Sequence, residues 1–236
     1  MAVDDTSSEF KGKIIAIDGP AGSGKSTTAR LLAQRLGFTY LDTGAMYRAV
    51  ALAALRQGVS FDDAAGLERI AAAAKIEFVN DRARGQLILL DGEDVTEAIR
   101  TPEATRGSSA VAVYAGVRRE MVQRQTAMGR KGNIVAEGRD TTSVVFPGAD
   151  LKIYLVADLK TRAGRRCLEA AARGETTTIE EQQRLLTARD QNDSGRAESP
   201  LTRVDDALEV DTSGLTIDQQ VEKIVALARK AIVKKG

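Results

Sequence analysis

The stretch Gly19-Pro20-Ala21-Gly22-Ser23-Gly24-Lys25-Ser26-Thr27 carries the clearest chemistry in the chain, because Gly19 to Ser26 fit G-x-x-x-x-G-K-[ST]. Its glycines let the backbone curl until several N–H groups point at one anion. A helix starting there adds the partial positive charge of its N-terminus. In such a loop Lys25 reaches the β- and γ-phosphates of a nucleotide, and the Ser26 hydroxyl ligates Mg²⁺. The flanks agree. Ile14, Ile15 and Ile17 form a β-branched run before the loop, and Ala29, Leu32, Ala33 and Leu36 recur at helical spacing after it. A glycine-rich turn without a ligand has no need of that strand–loop–helix setting.

Arginines supply the second signal. Arg48 and Arg139 follow predicted strands, and Arg118 sits on the side of an insertion. Arg162, Arg165 and Arg166 stand at i, i+3 and i+4, one face of one helix. Arg189, Asp193 and Arg196 lie on either side of a Gln-Asn-Asp-Ser-Gly break. Transfer of a phosphoryl group between nucleotides must hold several like-charged phosphates together. A planar, permanently charged guanidinium suits that task. Arg119, Arg124 and Arg130 read instead as solvated helix residues.

Composition narrows the field. The chain has 236 residues, 43% of them hydrophobic, enough for one α/β domain with an insertion or for two small domains. Lys plus Arg is 34 against Asp plus Glu 33, and this balance argues against a general nucleic-acid or membrane-surface binder. There is no histidine, which removes imidazole-based acid–base, nucleophilic and metal-ligand schemes. The single cysteine, Cys167, precludes an internal disulfide, fits a reducing cytoplasm and reads as a small packing residue. Met1 to Phe10 is polar and acidic with no apolar segment, so it reads as a frayed tail and not as a signal peptide. No stretch approaches the roughly 18 apolar residues of a membrane span.

The elements that must position these groups alternate. Strands are predicted at Lys13 to Asp18, Phe38 to Leu41, Asn133 to Ala136, Leu151 to Val156 and Ala207 to Val210. Between them fall helices from Lys25 to Leu36, from about Asp42 to Gln57, from Ala64 to Ala74, from Glu103 to Arg130 with a break near Ala115-Gly116, and from Arg162 to Arg173. Capping boxes at Thr178 and Thr216 start helices reaching about Gln191 and Val233. A β-rich island interrupts the alternation: Ile76 to Val79, Gln86 to Leu90 and Glu93 to Val95, around turns at Asn80-Asp81 and Asp91-Gly92. Alternation implies a parallel sheet with its ligand at the C-terminal strand ends, where Asp18, Asp42, Glu137, Arg139 and Asp158 fall.

From Lys13 to Val233 the chain resembles the bacterial cytidylate kinases, a branch of the nucleoside-monophosphate kinases. The marks are Ile17 through Thr27, Leu41-Asp42-Thr43-Gly44-Ala45-Met46-Tyr47-Arg48, Ile99 through Glu103, Glu137-Gly138-Arg139-Asp140, Val144 through Pro147, and Arg189-Asp190. The resemblance implies an α/β fold of the P-loop nucleoside-monophosphate kinases. Its five-stranded parallel sheet is flanked by helices, with a β-containing monophosphate-binding insertion and a small helical lid. Mapped on this chain, residues 1–11 form a flexible tail and 12–236 one kinase domain. Its core is 12–60, 115–158 and 200–236, the insertion about 61–114 and the lid about 159–199.

The resemblance also implies an activity: ATP-dependent, Mg²⁺-supported phosphorylation of CMP and dCMP by direct in-line transfer. Composition and the lack of a long exposed apolar stripe point to a cytoplasmic monomer with no nucleic-acid or membrane partner. Lys25, Arg139, Arg162, Arg165 and Arg166 would serve the transferred group, and Gly19 through Thr27 would hold ATP. Asp140 and Ser109 would face the cytosine amine, with Arg118 on the N3/O2 side. Thr43, Arg189 and Asp193 would hold the sugar, and Arg48, Arg139 and Arg196 the monophosphate. Thr43 stands where some relatives carry serine. Either Glu137 or Asp18 would hold a Mg²⁺-bound water. Two rivals remain: a kinase for another small molecule such as AMP or shikimate, and a nucleotide-dependent switch whose slow hydrolysis ignores monophosphates.

Overall fold

The computed structural model describes residues 9–81 and 83–232. Among the described residues the strands and α-helices follow in this order: β1 (Ile14–Asp18), α1 (Lys25–Leu36), β2 (Thr39–Asp42), α2 (Thr43–Gln57), α3 (Ala64–Ala73), β3 (Ile76–Asp81), β4 (Gly85–Leu90), β5 (Glu93–Asp94), α4 (Pro102–Val111), α5 (Ala115–Gly129), β6 (Ile134–Gly138), β7 (Leu151–Val156), α6 (Leu159–Ala172), α7 (Ile179–Gly195), β8 (Leu208–Asp211) and α8 (Ile217–Ile232). The chain divides into two compact units, one made of the segments up to Tyr40 and from Met128, the other Leu41–Ala127. The insertion expected at about 61–114 lies wholly within the second unit.

The larger sheet has the order β2-β6-β1-β7-β8 and is parallel, as the alternating pattern requires. β1 lies between β6 and β7, with Ile15 opposite Val135 and Leu151, and Asp18 opposite Gly138 and Tyr154. A parallel strand covered on both faces reads as a continuous apolar run, which is why β1 and β6 lack a polar alternation. Ile15, Ile17, Val135, Ile153 and Leu155 pack in one core with Leu32 and Leu36 of α1 and with Val221, Ile224 and Val225 of α8. Each large aliphatic so buried contributes about 2 kcal/mol. Phe10 belongs to that core and is fully buried, although the sequence reading assigns it to a frayed tail. Residues 1–8 of that tail, and Val233, lie outside the described residues.

Helix ends follow their caps. Gly37 takes the left-handed conformation (φ 67°) and closes α1 with its N–H on Ala33 O and Gln34 O. Asp42, Asp63, Thr101, Asp158 and Thr178 each accept a backbone N–H at the start of α2, α3, α4, α6 and α7. Thr216 and Gln219 bond reciprocally at the start of α8, a complete capping box.

In the second unit the β-rich island is an antiparallel sheet ordered β3-β4-β5. Its first reversal comes later than the Asn80-Asp81 turn expected. Asn80 and Asp81 pair with Gln86 and Gly85, and the Asp81 carboxylate then accepts the N–H groups of Ala83 and Arg84. The break between α4 and α5 falls at residues 112–114, before the Ala115-Gly116 expected for it. Among the described residues no helix is long and apolar enough to cross a membrane.

Two further features depart from the sequence reading. The Gln-Asn-Asp-Ser-Gly segment does not break its helix, since α7 runs on through Gly195. A π-helical turn, Thr141–Val145, follows β6 and was not anticipated.

Candidate active site

β1 delivers the chain into the phosphate loop at Asp18. A Cβ on Gly19 would stand 2.1 Å from Leu155 O, so the loop begins flush against β7 and no side chain fits there. Gly24, at φ 93°, is the residue that caps α1 and turns the chain into it. Acidic residues are missing from the first turn of α1, which leaves its N-terminal field available to an anion.

Lys25 is 5% exposed and donates Nζ to Pro20 O at 2.8 Å, across the loop. Burial and then the charge of Arg139 push its ammonium down to about 7; Glu137 and Asp18 oppose that shift, and Arg189 adds to it. Lysine at such a site is poised to take a phosphate oxygen as the counter-charge it lacks.

The two acids at the strand ends have different surroundings. Asp18 is fully buried and accepts four bonds: from Thr141 N–H at 2.9 Å, Thr142 N–H at 2.7 Å, Thr142 Oγ1 at 2.6 Å, and Thr141 Oγ1. It anchors the π-helical turn. Glu137 accepts the Ser26 hydroxyl at 2.6 Å and the Tyr40 hydroxyl at 3.3 Å, and so lies beside the loop's predicted metal ligand.

Arg139, two residues on, donates Nε to Asp193 of α7 at 2.7 Å. Burial works against its charge, but Asp193, together with Glu137 and Asp190, holds the guanidinium above its usual range. Burial likewise opposes the Asp193 charge, but Arg139, Arg189 and Arg196 draw the carboxyl below its ordinary value. Arg196 donates Nε to the Asp193 carbonyl at 3.3 Å. Asp140 is buried, and its carbonyl accepts the N–H of Val144 at 2.9 Å.

Of the three arginines on α6, Arg162 and Arg165 lie on the loop. Arg162 donates to Ala21 O at 3.0 Å and to Asp190 at 2.5 Å. Arg165 donates to Gly22 O at 3.3 Å and to Thr212 O at 2.8 Å. Arg166 is turned to its own helix and pairs with Glu169.

Thr43, Arg48, Ser109 and Arg118 belong to the second unit. There Asp42 accepts from Arg48 at 2.7 Å while capping α2, and Thr43 is buried. Ser109 is half-buried on α4. Arg118 is 3% exposed, lies 5.5 Å from the centre of the Tyr47 ring and donates to Ala112 O at 3.3 Å. Arg124 corrects the expectation that it is a solvated residue, because it donates to Ala74 O and to Ala72 O (2.8 Å) and so closes the end of α3. Arg119 and Arg130 are exposed, as read.

The sequence reading gave no role to Asp190, Thr212, Tyr40, Thr141 or Thr142, all of which touch this constellation. Thr212 follows the C-terminal end of β8, so the strand-end rule could have found it.

A parallel sheet with a phosphate loop after its central strand, and two arginines of α6 closing on that loop, defines a P-loop kinase. Comparison with known proteins agrees. The family model described as cytidylate kinase matches residues 15–230. The cytidylate kinase of Geobacter sulfurreducens is 43% identical over 220 residues, 93% of this chain and 94% of that protein. That of Pelotomaculum thermopropionicum is 48% identical over 212 residues, 90% and 94%. A solved structure of an uncharacterized protein from Eubacterium ventriosum superposes with a TM-score of 0.51 at 12% identity, over 93% of this chain and 99% of that one, a likeness of fold alone. The chain belongs to the cytidylate kinase family.

Proposed function

We propose that this protein transfers the γ-phosphoryl group of ATP to CMP and dCMP, giving ADP and CDP or dCDP. The observation that carries the reading, beside family membership, is that Lys25, Arg139, Arg162 and Arg165 gather about one phosphate loop in a chain without histidine. The acceptor oxygen of a nucleoside monophosphate is already ionised, so no general base is required. Catalysis then consists of positioning and of neutralising charge on the transferred group. Lys25 gains a counter-charge from the phosphates it holds. Asp193 fixes the direction of the Arg139 guanidinium for the same task.

The donor set suits Mg²⁺. Ser26 Oγ and the Glu137 carboxylate are hard oxygens 2.6 Å apart, and no metal-holding group of three acidic, cysteine or histidine residues exists among the described residues. A cation held mainly by nucleotide phosphates with one or two protein oxygens is the usual Mg²⁺ arrangement. Ser26 would ligate it and Glu137 would hold one of its waters, whereas Asp18 is committed to Thr141 and Thr142. When bound, the ion offsets the charge of the donor phosphates.

The base-reading roles come from the family resemblance. Asp140 and Ser109 accept from the cytosine amine, and Arg118 donates on the N3/O2 side. Uracil reverses that pattern and leaves buried groups unpaired, which rejects it strongly. Thr43, Arg189 and Asp193 serve the sugar, and Arg48, Arg139 and Arg196 the monophosphate. Residues of about 159–199, with α6 and α7, act as the lid. The protein works as a cytoplasmic monomer on these small molecules.

The test is ADP release with Mg²⁺-ATP and, in turn, CMP, dCMP, UMP, AMP and GMP. Fast turnover with CMP and dCMP alone is expected. Fast turnover with another monophosphate removes the base-reading assignment, and slow release indifferent to all of them removes the kinase reading.

A further inference from the structure

Asp190 on α7 joins two parts of the phosphate site with one carboxylate. Its Oδ1 accepts the Ala21 N–H at 3.3 Å and its Oδ2 accepts Arg162 Nη1 at 2.5 Å. Arg162 is pinned on two further sides: Nη1 also donates to Ala21 O at 3.0 Å, and Nε donates to Ala157 O at 3.1 Å. Among the described residues Nη2 of Arg162 takes no acceptor. The Arg162 side chain is 10% exposed and that of Asp190 22%, so neither wanders freely in solvent.

A guanidinium is planar and its donors lie in a fixed fork. Fixing Nε and Nη1 therefore fixes the direction of Nη2. Two of the acceptors that do this, the Ala157 and Ala21 carbonyls, are neutral backbone groups. Asp190 supplies the charged one, and a charge-assisted bond is the stronger constraint. Because the other oxygen of the same carboxylate sits on a loop N–H, the arginine is registered against the loop itself and not merely against α7. A phosphate oxygen is the acceptor for which the loop and its arginines are assembled.

We propose that Asp190 is a positioning residue that holds Arg162 against the phosphate loop with its Nη2 edge ready for the donor nucleotide's phosphate. This rests on the nucleotide-kinase reading above. The carboxylate reaches the nucleotide through Arg162, with its other oxygen anchored on the Ala21 N–H, and touches no substrate itself.

A double-mutant cycle tests it: wild type, Asp190→Asn, Arg162→Ala and the double variant, assayed by ADP release at saturating CMP with ATP varied. Asp190→Asn should lower kcat/KM for ATP by about 10- to 100-fold, as expected for loss of a charged hydrogen-bond partner. With CMP varied at saturating ATP, the KM for CMP should stay near wild type. In the Arg162→Ala background, Asp190→Asn should add little, because the residue it acts through is gone. Wild-type kinetics in Asp190→Asn with only a lower melting temperature would overturn the proposal and leave a structural tie. Full additivity of the two losses would overturn it too. Asp190→Glu, which keeps the charge but displaces it, gives the same cycle if Asp190→Asn does not fold. Should the wild type release no ADP with any monophosphate, the kinase reading fails. The cycle, read then as affinity for a fluorescent ATP analogue, still reports whether the two residues are coupled.

Discussion

Arg139 and Asp193, 54 positions apart in sequence, form a 2.7 Å ion pair whose side chains are 17% and 7% exposed. Breaking such a pair from one side leaves the other charge stranded. Asp193→Asn should cost about 3 kcal/mol of unfolding free energy, measured by denaturant titration at neutral pH. Replacing both members by apolar residues should cost less than the sum of the single changes. The pH dependence follows from the depressed carboxyl: its contribution is complete above the unfolded-state carboxylate range and disappears as pH falls through the lower folded-state value. Asp193→Asn should therefore lose acid sensitivity in that interval. An unchanged acid limb would assign the sensitivity to other groups.

Lys25 provides a second pH test. Its folded value of about 7 lies below the ordinary 10.5, so the unfolded chain binds more protons between those values and stability should rise with pH across that window. Phosphates bound at the loop should raise the folded value again. Binding of ATP at pH 8 should then take up a proton, which titration calorimetry in two buffers of different ionisation enthalpy detects. Lys25→Met should abolish the uptake and lower kcat by about 100-fold or more, in line with removal of one preorganised charge at a transition state. Near-normal turnover would remove Lys25 from the chemistry.

The two strand-end acids should separate cleanly. Asp18→Asn presents an amide N–H₂ to donors that already fill the site, and about 3 kcal/mol of stability should be lost on denaturant unfolding. Glu137→Gln should leave stability nearly unchanged. It should raise the Mg²⁺ concentration required for half-maximal turnover. The reverse pattern would exchange the roles of the two residues.

Asp140→Ala should reduce the CMP/UMP ratio of kcat/KM by about 100-fold or more, the scale on which a polar site rejects a mismatched partner. The KM for ATP should change far less. An unchanged ratio would relieve Asp140 of base reading and direct attention to Ser109 and Arg118.

Local signals carried much of this architecture in the sequence. The phosphate loop and both ends of α1 were legible because glycine, a β-branched run and a helical apolar stripe each speak within a few residues. A threonine before a proline is an equally local start signal, and α4 begins at Pro102 with Thr101 as its cap. What escaped was decided by distant partners. The Gln191-to-Gly195 segment has the composition of a breaker, yet it stays helical where Asp193 is held by Arg139 and its carbonyl takes the Leu201 N–H at 2.8 Å. The π-helical turn has no periodic signature, and its anchor lies 123 residues earlier at Asp18. Asp18 and Glu137 look alike as polar strand ends, and only their donors tell them apart.

Asp190 and Asp193 stand one helical turn apart on α7, one gripping Arg162 and the other Arg139. Since α7 is continuous through Gly195, those grips are mounted on a single rod. A shift of α7 therefore bears on both grips, the one toward α6 at Asp190 and the one toward β6 at Asp193, like a single latch with two teeth. An engineer wishing to loosen only one end would first have to hinge the rod, with proline or a glycine pair between the two aspartates.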